Sequence, residues 1–179
     1  MLGFIGRRHP DISDLDRAAP KYLNTGETPL YHKGAQLYGV LQHRLCAGAV
    51  PVIVEGPMDA VAVTLASRGR YLGVAPLGTS LTDEQAAQLA RTGMHPVVAT
   101  DADLAGRIAA ERDYWLLSCY RLDPLHTPLP EGADPADLLA LKGPTALAEA
   151  LAAAQPLAER LLDERLNNLP PVPALLEAA

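Results

Sequence analysis

The chain has 179 residues, of which 49% are hydrophobic and 20% charged, and its formal net charge is −6. These values predict one globular domain with small appendages and exclude a disordered polypeptide. The overall acidity excludes a general binder of phosphate backbones. No apolar run approaches the roughly 20 residues that span a bilayer, and no signal peptide is present, so we predict a cytoplasmic protein without a membrane partner.

The charge is unevenly distributed along the chain. Residues 1–50 carry six Lys and Arg against four Asp and Glu, whereas residues 51–179 carry nine against seventeen. A basic segment beside an acidic body is compatible with nucleic acid on one side and metal ions on the other. The two cysteines, Cys46 and Cys119, have no paired spacing. They predict neither a zinc site nor a disulfide framework, and they fit a reducing compartment.

The first third of the chain changes from irregular to regular structure. Residues 1–33 are rich in Gly, Pro, Asp and Arg and predict loops and short extended pieces. The apolar spacing in HKGAQLYGVLQHRLCAG predicts a helix over residues 32–48. The run VPVIVEG, residues 50–56, is typical of a strand buried on both faces.

Strands and helices then alternate. Helices are predicted over residues 57–69, 81–93 and 102–120, and strands over 71–76 and 95–101. Thr82 with Gln85 three residues later has the pattern of a capping box at the second of these helices.

The remainder of the chain is predicted to form one extended segment followed by helices. Residues 121–130 contain several prolines and predict an extended edge segment, and the chain is predicted to be helical from Asp134, with interruptions at Pro144 and Pro156. Trp115 is predicted to lie in the core.

This alternation predicts an α/β fold in which helices cover a parallel sheet. Ligands of such sheets bind beyond the carboxyl ends of the strands. Glu55 and Asp101 follow two of the predicted strands, and Asp59 and Asp103 follow closely. Converging carboxylates repel one another unless a cation neutralises them, and oxygen-only ligands suit Mg²⁺ or Mn²⁺. The alternative to metal binding is a structural role. The charge of Asp59 near the start of a helix interacts favourably with the helix dipole, and Asp103 can cap a helix.

Three motifs, VEGPMDA, LGTS and DADLAGR, together resemble the TOPRIM domain of bacterial-type primases, topoisomerases and some nucleases. PKYLNTGETPLYHKGAQLYG before them and DPADLL after them are similar to flanking segments of bacterial replicative primases. The resemblance implies a Rossmann-like, mostly parallel sheet of about four strands flanked by helices. It also implies three parts: an irregular basic N-terminal segment with a connecting helix (1–48), the TOPRIM domain (49–142) and a C-terminal helical cap and tail (143–179).

The resemblance also assigns roles to individual positions. Glu55 matches the family's proposed general acid or base. Four acids match metal-binding positions: Asp101, Asp103, Asp59 and Asp134. Six residues match nucleotide- or DNA-binding positions or lie in the corresponding motifs: Lys21, Asn24, Lys33, Thr79, Ser80 and Arg107. For LGTS, which contains Thr79 and Ser80, a plain turn and helix cap is an equal alternative to phosphate binding.

The chain departs from the family pattern at several positions. Pro57 replaces a common aromatic residue, Ala102 the usual Gly between the two acids, and Leu104 a frequent basic residue. The second acid of the late motif is Asp137, one position later than in some members. Bacterial primases also begin with a zinc-binding module that has no counterpart here. The chain therefore resembles either part of a larger protein or a reduced primase-like module, and it is predicted to use no zinc.

The function implied by the resemblance is synthesis of RNA primers on single-stranded DNA from nucleoside triphosphates, with Mg²⁺ or Mn²⁺. A helicase, a relaxase or another replication or conjugation protein is a possible partner class, since EGPMDA is similar to TOPRIM proteins of mobile elements. Two alternatives stay open at this point. One is a metal-dependent nuclease, and the other is a non-catalytic DNA- or nucleotide-binding module of a larger mobile-element protein.

Overall fold

The computed structural model describes residues 3–9, 22–40, 44–45, 47–78, 80–100, 104–130 and 132–167. Near the N-terminus, β1 (Ile5–Arg7) pairs antiparallel with β2 (Tyr22–Asn24) in a small two-stranded sheet. The larger sheet is built from six strands: β3 (Leu37–Tyr38), β4 (Val50–Ile53), β5 (Tyr71–Pro76), β6 (Val97–Val98), β7 (Leu125–His126) and β8 (Gln155–Pro156).

Five α-helices are described with these strands. They are α1 (Pro57–Ala66), α2 (Asp83–Ala90), α3 (Leu104–Cys119), α4 (Pro135–Ala152) and α5 (Leu157–Asn167). The strand order in the large sheet is β3-β5-β4-β6-β7-β8. Neighbouring strands from β5 to β7 are parallel, and the outer strands β3 and β8 are antiparallel to their neighbours. The predicted α/β fold with a mostly parallel sheet of four central strands is confirmed.

Each face of the sheet is covered by its own helices. Successive side chains of β4 point to opposite faces of the sheet, as in any strand. Ile53 packs in one core with residues of α2, α3 and α5. Val52 and Val54 pack in the other core with residues of α1 and α4. The short apolar run that predicted a doubly buried strand is therefore central to both cores.

Helix α1 lies unusually close to strand β5. A Cβ atom added to Gly73 would lie 2.2 Å from the carbonyl oxygen of Ala60, which is closer than any real side chain can approach. The amide of Gly73 also donates to the Thr64 hydroxyl at 3.0 Å. Directly after the neighbouring strand β3, Gly39 has φ +82° and faces the Gly73 carbonyl. Glycine at both positions allows α1 and the end of β3 to pack directly against the β5 backbone.

The helix predicted over residues 32–48 is wrong for its first part. Lys33–Ala35 form a short 3₁₀ helix, and Leu37–Tyr38 form β3, which pairs with Pro76 and Ala75 of β5. The side-chain amide of Gln85 donates hydrogen bonds to the carbonyls of Lys33 and Gln36, which fixes this segment against the start of α2. The apolar residues of this segment therefore belong to a strand and a loop that face the core, and not to a helix.

The sequence predicted the start of α2 more accurately than it predicted this segment. The capping box at Thr82 and Gln85 is present, with each side chain bonded to the backbone of the other residue. The segment 121–130 is extended as predicted, but β7 is not at the edge of the sheet, because β8 pairs with it on the far side. The prediction that Trp115 is buried is wrong, since the residue is 56% exposed.

Helix α4 is interrupted near its middle. Gly143 has φ 82° and precedes Pro144, so the two halves of the helix meet at a kink. The second half still contributes the fully buried Leu147 and Leu151 to the core beside α1. Over the described residues, none of the helices has the length and apolarity needed to cross a lipid bilayer.

Candidate active site

A small cavity lies at the carboxyl ends of β4, β5 and β6. It has a volume of about 280 Å³ and is lined by Glu55, Ser80, Thr100, Arg112 and Asp113, among others. We call it the Glu55 cavity. Strand β4 brings Glu55 to it, the loop after β5 brings Ser80, and the chain after β6 brings Thr100. Parallel strands place their ligand-binding residues at this edge, and Glu55 lies where its place after a strand predicted.

Glu55 itself is exposed, whereas the residues on either side of it, Val54 and Gly56, are buried. The amide of Val54 donates to the carbonyl of Val74 at 3.0 Å, which holds the end of β4 against β5. The carboxylate therefore projects from a rigid strand end into a space that a substrate can enter. A reactive group on such a support keeps its position more precisely than one on a long loop.

Thr100 anchors the segment that carries the next two acids. Its side chain is buried, and its hydroxyl donates to the carbonyl of Gly106 at 3.0 Å, within the first turn of α3. Residues 101–103 lie outside the described residues, so the placement of Asp101 and Asp103 stays a prediction. The described chain on either side of them is fixed at the Glu55 cavity by Thr100 and by α3.

Asp113 is a further acid of this cavity that the sequence analysis did not single out. It lies on α3 and is only 3% exposed. Burial raises its pKa to about 6; the neighbouring Arg112 guanidinium opposes this effect, and the negative charge of Glu55 adds to it. An acid facing the sheet from the third turn of a helix has no distinctive sequence pattern, since its burial depends on the packing of the helix.

We expect Asp113→Asn to change how stability depends on pH. The unfolded carboxyl titrates near 3.8 and the folded one at about 6. Between these values the folded state binds more protons, so the wild type loses stability as the pH rises through this window, by roughly 3 kcal/mol for a shift of about two units. The neutral Asn avoids this loss.

The measurement is urea unfolding of both proteins at about pH 4 and about pH 7.5. The advantage of the variant should grow by roughly 3 kcal/mol from the lower to the higher pH. A difference that stays constant over this range would show that Asp113 does not titrate as described.

Asp59 and Asp134 meet at the start of α4, on the opposite face of the sheet from α3. The carboxylate of Asp59, which is 7% exposed, accepts a hydrogen bond from the amide of Ala136 at 3.2 Å. Asp134 is the N-cap of α4 and accepts from the amide of Asp137 at 2.6 Å. Both acids thus have a structural role at a helix N-terminus, where negative charge is favourable. Their metal-binding role stays a prediction.

Two of the predicted nucleotide-binding residues of the N-terminal segment are among the described residues. The side-chain amide of Asn24 donates to the carbonyl of Leu77 at 2.8 Å, which ties β2 to the loop after β5. Its side-chain oxygen is buried and has no hydrogen-bond partner. Lys33 lies in the 3₁₀ helix, and its amide donates to the Glu27 carboxylate at 2.9 Å. Lys21 and Thr79 lie outside the described residues.

The available donors fit a hard divalent cation better than a soft one. Glu55, Asp59 and Asp134 offer carboxylate oxygens, and Ser80 adds a hydroxyl at the Glu55 cavity. Within the described ranges, no three His, Cys, Asp or Glu residues form a group that can hold a metal ion, but Asp101 and Asp103 are not among those residues. Oxygen donors of this kind suit Mg²⁺ or Mn²⁺.

A second cavity adjoins the first at Thr100. It is lined by Thr100, Arg107, His126, Gln155 and Arg160, among others, and has a volume of about 280 Å³. We call it the Arg160 cavity. The sequence predicted a binding role for Arg107, which is exposed here, but not for His126 or Arg160. These two come from β7 and α5, which are 34 residues apart in sequence, so only the fold brings them together.

Comparison with known proteins assigns two parts of the chain to protein families. Residues 52–139 match the family described as Toprim-like, and residues 1–44 match the DNA primase catalytic core, N-terminal domain. The fold and the matched residues therefore define a Toprim-like domain. The chain belongs to this family in the form found in bacterial DNA primases.

Relatives over nearly the whole chain support this assignment. A DNA primase of Salmonella typhimurium is 36% identical over 174 residues, which cover 94% of this chain and 29% of that protein. The RNA polymerase domain of Mycobacterium tuberculosis primase DnaG superposes with a TM-score of 0.80 at 32% identity, over 97% of this chain and 57% of that one. A DnaG primase catalytic domain bound to single-stranded DNA has a TM-score of 0.75 at 32% identity, over 94% and 52%. The chain thus spans less than a third of the length of the Salmonella typhimurium primase.

Proposed function

We propose that this chain is the catalytic core of a DNA primase and joins ribonucleotides into RNA primers on a single-stranded DNA template. The observation that carries the proposal is the position of Glu55, which projects from the end of the central strand β4 into a cavity shared with Ser80 and Thr100. The similarity to primases over both matched segments supports the same reaction. A cytoplasmic location and a helicase or relaxase as partner belong to the same proposal.

In this proposal Asp101, Asp103, Asp59 and Asp134 would hold Mg²⁺ or Mn²⁺, and the ion would supply positive charge that offsets the charge of the triphosphate. The protein side chains then have separate tasks. Glu55 accepts the proton of the attacking 3′-hydroxyl, because it is the exposed carboxylate at the strand end. Ser80 and the backbone of its loop orient a phosphate group. Zinc has no part in this proposal.

A cleft beside the N-terminal sheet supports binding of the template. It has a volume of about 690 Å³ and is lined by residues that include Phe4, Arg7, Tyr38 and Met58. Phe4 is 71% exposed, which is unusual for a large aromatic side chain. Exposed aromatic rings beside cationic side chains are typical of surfaces that stack the bases of single-stranded nucleic acid. Pro57, which replaces a larger residue of the family, also lines this cleft.

The test of the proposed function is primer synthesis by the purified chain. Single-stranded DNA is incubated with labelled ribonucleotides and Mg²⁺ or Mn²⁺, and the products are separated on a denaturing gel. We expect short labelled RNA from the wild type and at least about a hundredfold less from Asp101→Asn, because loss of a metal-ligand charge removes transition-state stabilisation. The matched control is Asp163→Asn, which removes an exposed carboxylate of α5 far along the chain from the site.

Three results would contradict the proposal. Equal synthesis by Asp101→Asn and the wild type would exclude Asp101 from the reaction. Shortened DNA without labelled RNA would indicate a nuclease. If neither product appears, the chain acts as a binding module without catalytic activity of its own.

A further inference from the structure

The Arg160 cavity is a candidate for a second binding subsite next to the Glu55 cavity. It lies beyond the carboxyl ends of β6 and β7 and next to the first turn of α5. Thr100 lines both this cavity and the Glu55 cavity. Asp101 directly follows Thr100 in sequence, so Thr100 connects this cavity to the part of the chain that carries the predicted metal ligands.

The residues that line this cavity give it a positive charge. Arg107 and Arg160 contribute guanidinium groups, and the lining residues that the structure describes include no carboxylate. Glu164 compensates part of this charge from outside the lining, because its carboxylate accepts from Nε of Arg160 at 3.0 Å. One guanidinium, that of Arg107, is exposed at the rim, and that of Arg160 lies deeper, with its side chain 27% exposed.

His126 supports the orientation of Arg160 without adding charge. Its imidazole contacts a terminal nitrogen of the Arg160 guanidinium. Burial lowers the pKa of His126 to about 4, and the Arg160 charge adds to this effect. The imidazole is therefore neutral at pH 7 and can accept a hydrogen bond from Arg160. With Glu164 on one side and His126 on another, the guanidinium is held in one direction, as a preorganised anion site requires.

We propose that the Arg160 cavity binds the two terminal phosphates of a nucleoside triphosphate and, after the reaction, the pyrophosphate that is released. A planar guanidinium matches the oxygen pairs of phosphate groups, and the amide of Gln155 offers further donors. The cavity volume of about 280 Å³ is below the usual range of sites that enclose a whole small molecule. It therefore takes the phosphates and leaves the nucleoside outside, toward the Glu55 cavity.

A DNA strand is the less suitable occupant of this cavity. A single-stranded template needs a groove that follows several phosphates, each with one negative charge. The Arg160 cavity is small, and the guanidinium groups of Arg107 and Arg160 both line it. This arrangement favours a compact ligand with several negative charges. This inference rests on the proposed function, because it names the part of the substrate that the same site would hold.

The test measures binding directly and does not depend on primer synthesis. Isothermal titration of the full 179-residue chain with magnesium pyrophosphate is compared for the wild type and three variants. Arg160→Gln and Arg107→Gln each remove one cation of the cavity. Arg165→Gln is the matched control, since Arg165 lies on the same helix, is 65% exposed and pairs with Glu111 away from the cavity.

We expect the dissociation constant for pyrophosphate to rise roughly ten- to a hundredfold in Arg160→Gln, because a charge-assisted hydrogen bond is lost. Arg107→Gln should weaken binding in the same direction, and Arg165→Gln should bind as the wild type does. Because Arg107 is exposed, its variant tests the cavity even if the Arg160 variant does not fold.

Several outcomes would overturn the inference. They are the absence of pyrophosphate binding by the wild type, unchanged binding in both cavity variants, and equal weakening in the Arg165 control. A loss of affinity for oligothymidylate with unchanged pyrophosphate affinity would assign the cavity to DNA. If the chain makes no primers but pyrophosphate binding depends on Arg160, the proposed function fails and this inference stands.

Discussion

Glu55→Gln is expected to lower the rate constant of primer synthesis by roughly a hundred- to ten-thousandfold, the usual contribution of a positioned general base. Glutamine keeps the shape of the side chain but cannot accept the proton of a hydroxyl. Because Glu55 is exposed and lies after the end of β4, the fold should tolerate the change. The measurement is the steady-state rate of primer synthesis with a saturating template.

The role of Glu55 is separated from that of the metal ligands by a second measurement. The affinity for Mn²⁺, followed by the paramagnetic signal of the free ion, should stay within about threefold of wild type in Glu55→Gln, a change of less than 1 kcal/mol. Asp101→Asn should lower that affinity by much more. Glu149→Gln, which alters an exposed carboxylate of α4, serves as the control. A primer synthesis rate within twofold of wild type in Glu55→Gln would remove Glu55 from the reaction.

The largest expected effect on stability is that of Gly73→Ala. The added methyl group would lie 2.2 Å from the Ala60 carbonyl and 2.5 Å from its Cα, so α1 must move away from β5. Overpacking against backbone atoms costs roughly 3 kcal/mol or more. For a chain of this size we expect the melting temperature to fall by roughly 6 to 12 °C. Since Glu55 lies between β4 and α1, primer synthesis should fall as well.

The matched control for Gly73 is Gly78→Ala. An added methyl group at Gly78 would meet nothing within 4 Å, so its melting temperature should stay within about 2 °C of wild type, as expected for a change of less than 0.5 kcal/mol. Both proteins are compared by calorimetry under the same conditions. Equal melting temperatures for the two variants would show that the close packing of α1 on β5 is not a constraint.

The elements that were predicted well are those defined by local sequence. Strand β5 has the predicted bounds of Tyr71–Pro76, and α2 begins at the predicted capping box of Thr82 and Gln85. In both cases the signal is contained in a few consecutive residues. The position of Glu55 at a strand end follows in the same way, because a short β-branched run ends directly before it.

The elements that were missed depend on contacts between distant residues. Leu37 has an apolar spacing typical of a helix, but it pairs with Pro76, and the close approach of Gly39 to Gly73 is visible only in the fold. Strand β8 has two residues, too few for any alternating pattern.

The same reason explains the missed site residues. Asp113 is an ordinary helical acid in sequence, and it becomes part of the site only because α3 packs over the end of β4. His126 and Arg160 meet only through the position of α5 beside β7.

The pairing of β8 with β7 has a consequence for the solubility of the protein. If the chain ended at residue 142, the backbone of β7 would have no neighbour on its outer side, and the buried Leu147, Leu151 and Leu157 would be lost with β8. An open sheet edge beside exposed apolar surface is a template for adding a strand from another molecule. The C-terminal segment thus protects the sheet against self-association, and any shortened form that retains only the acids and the parallel strands should aggregate.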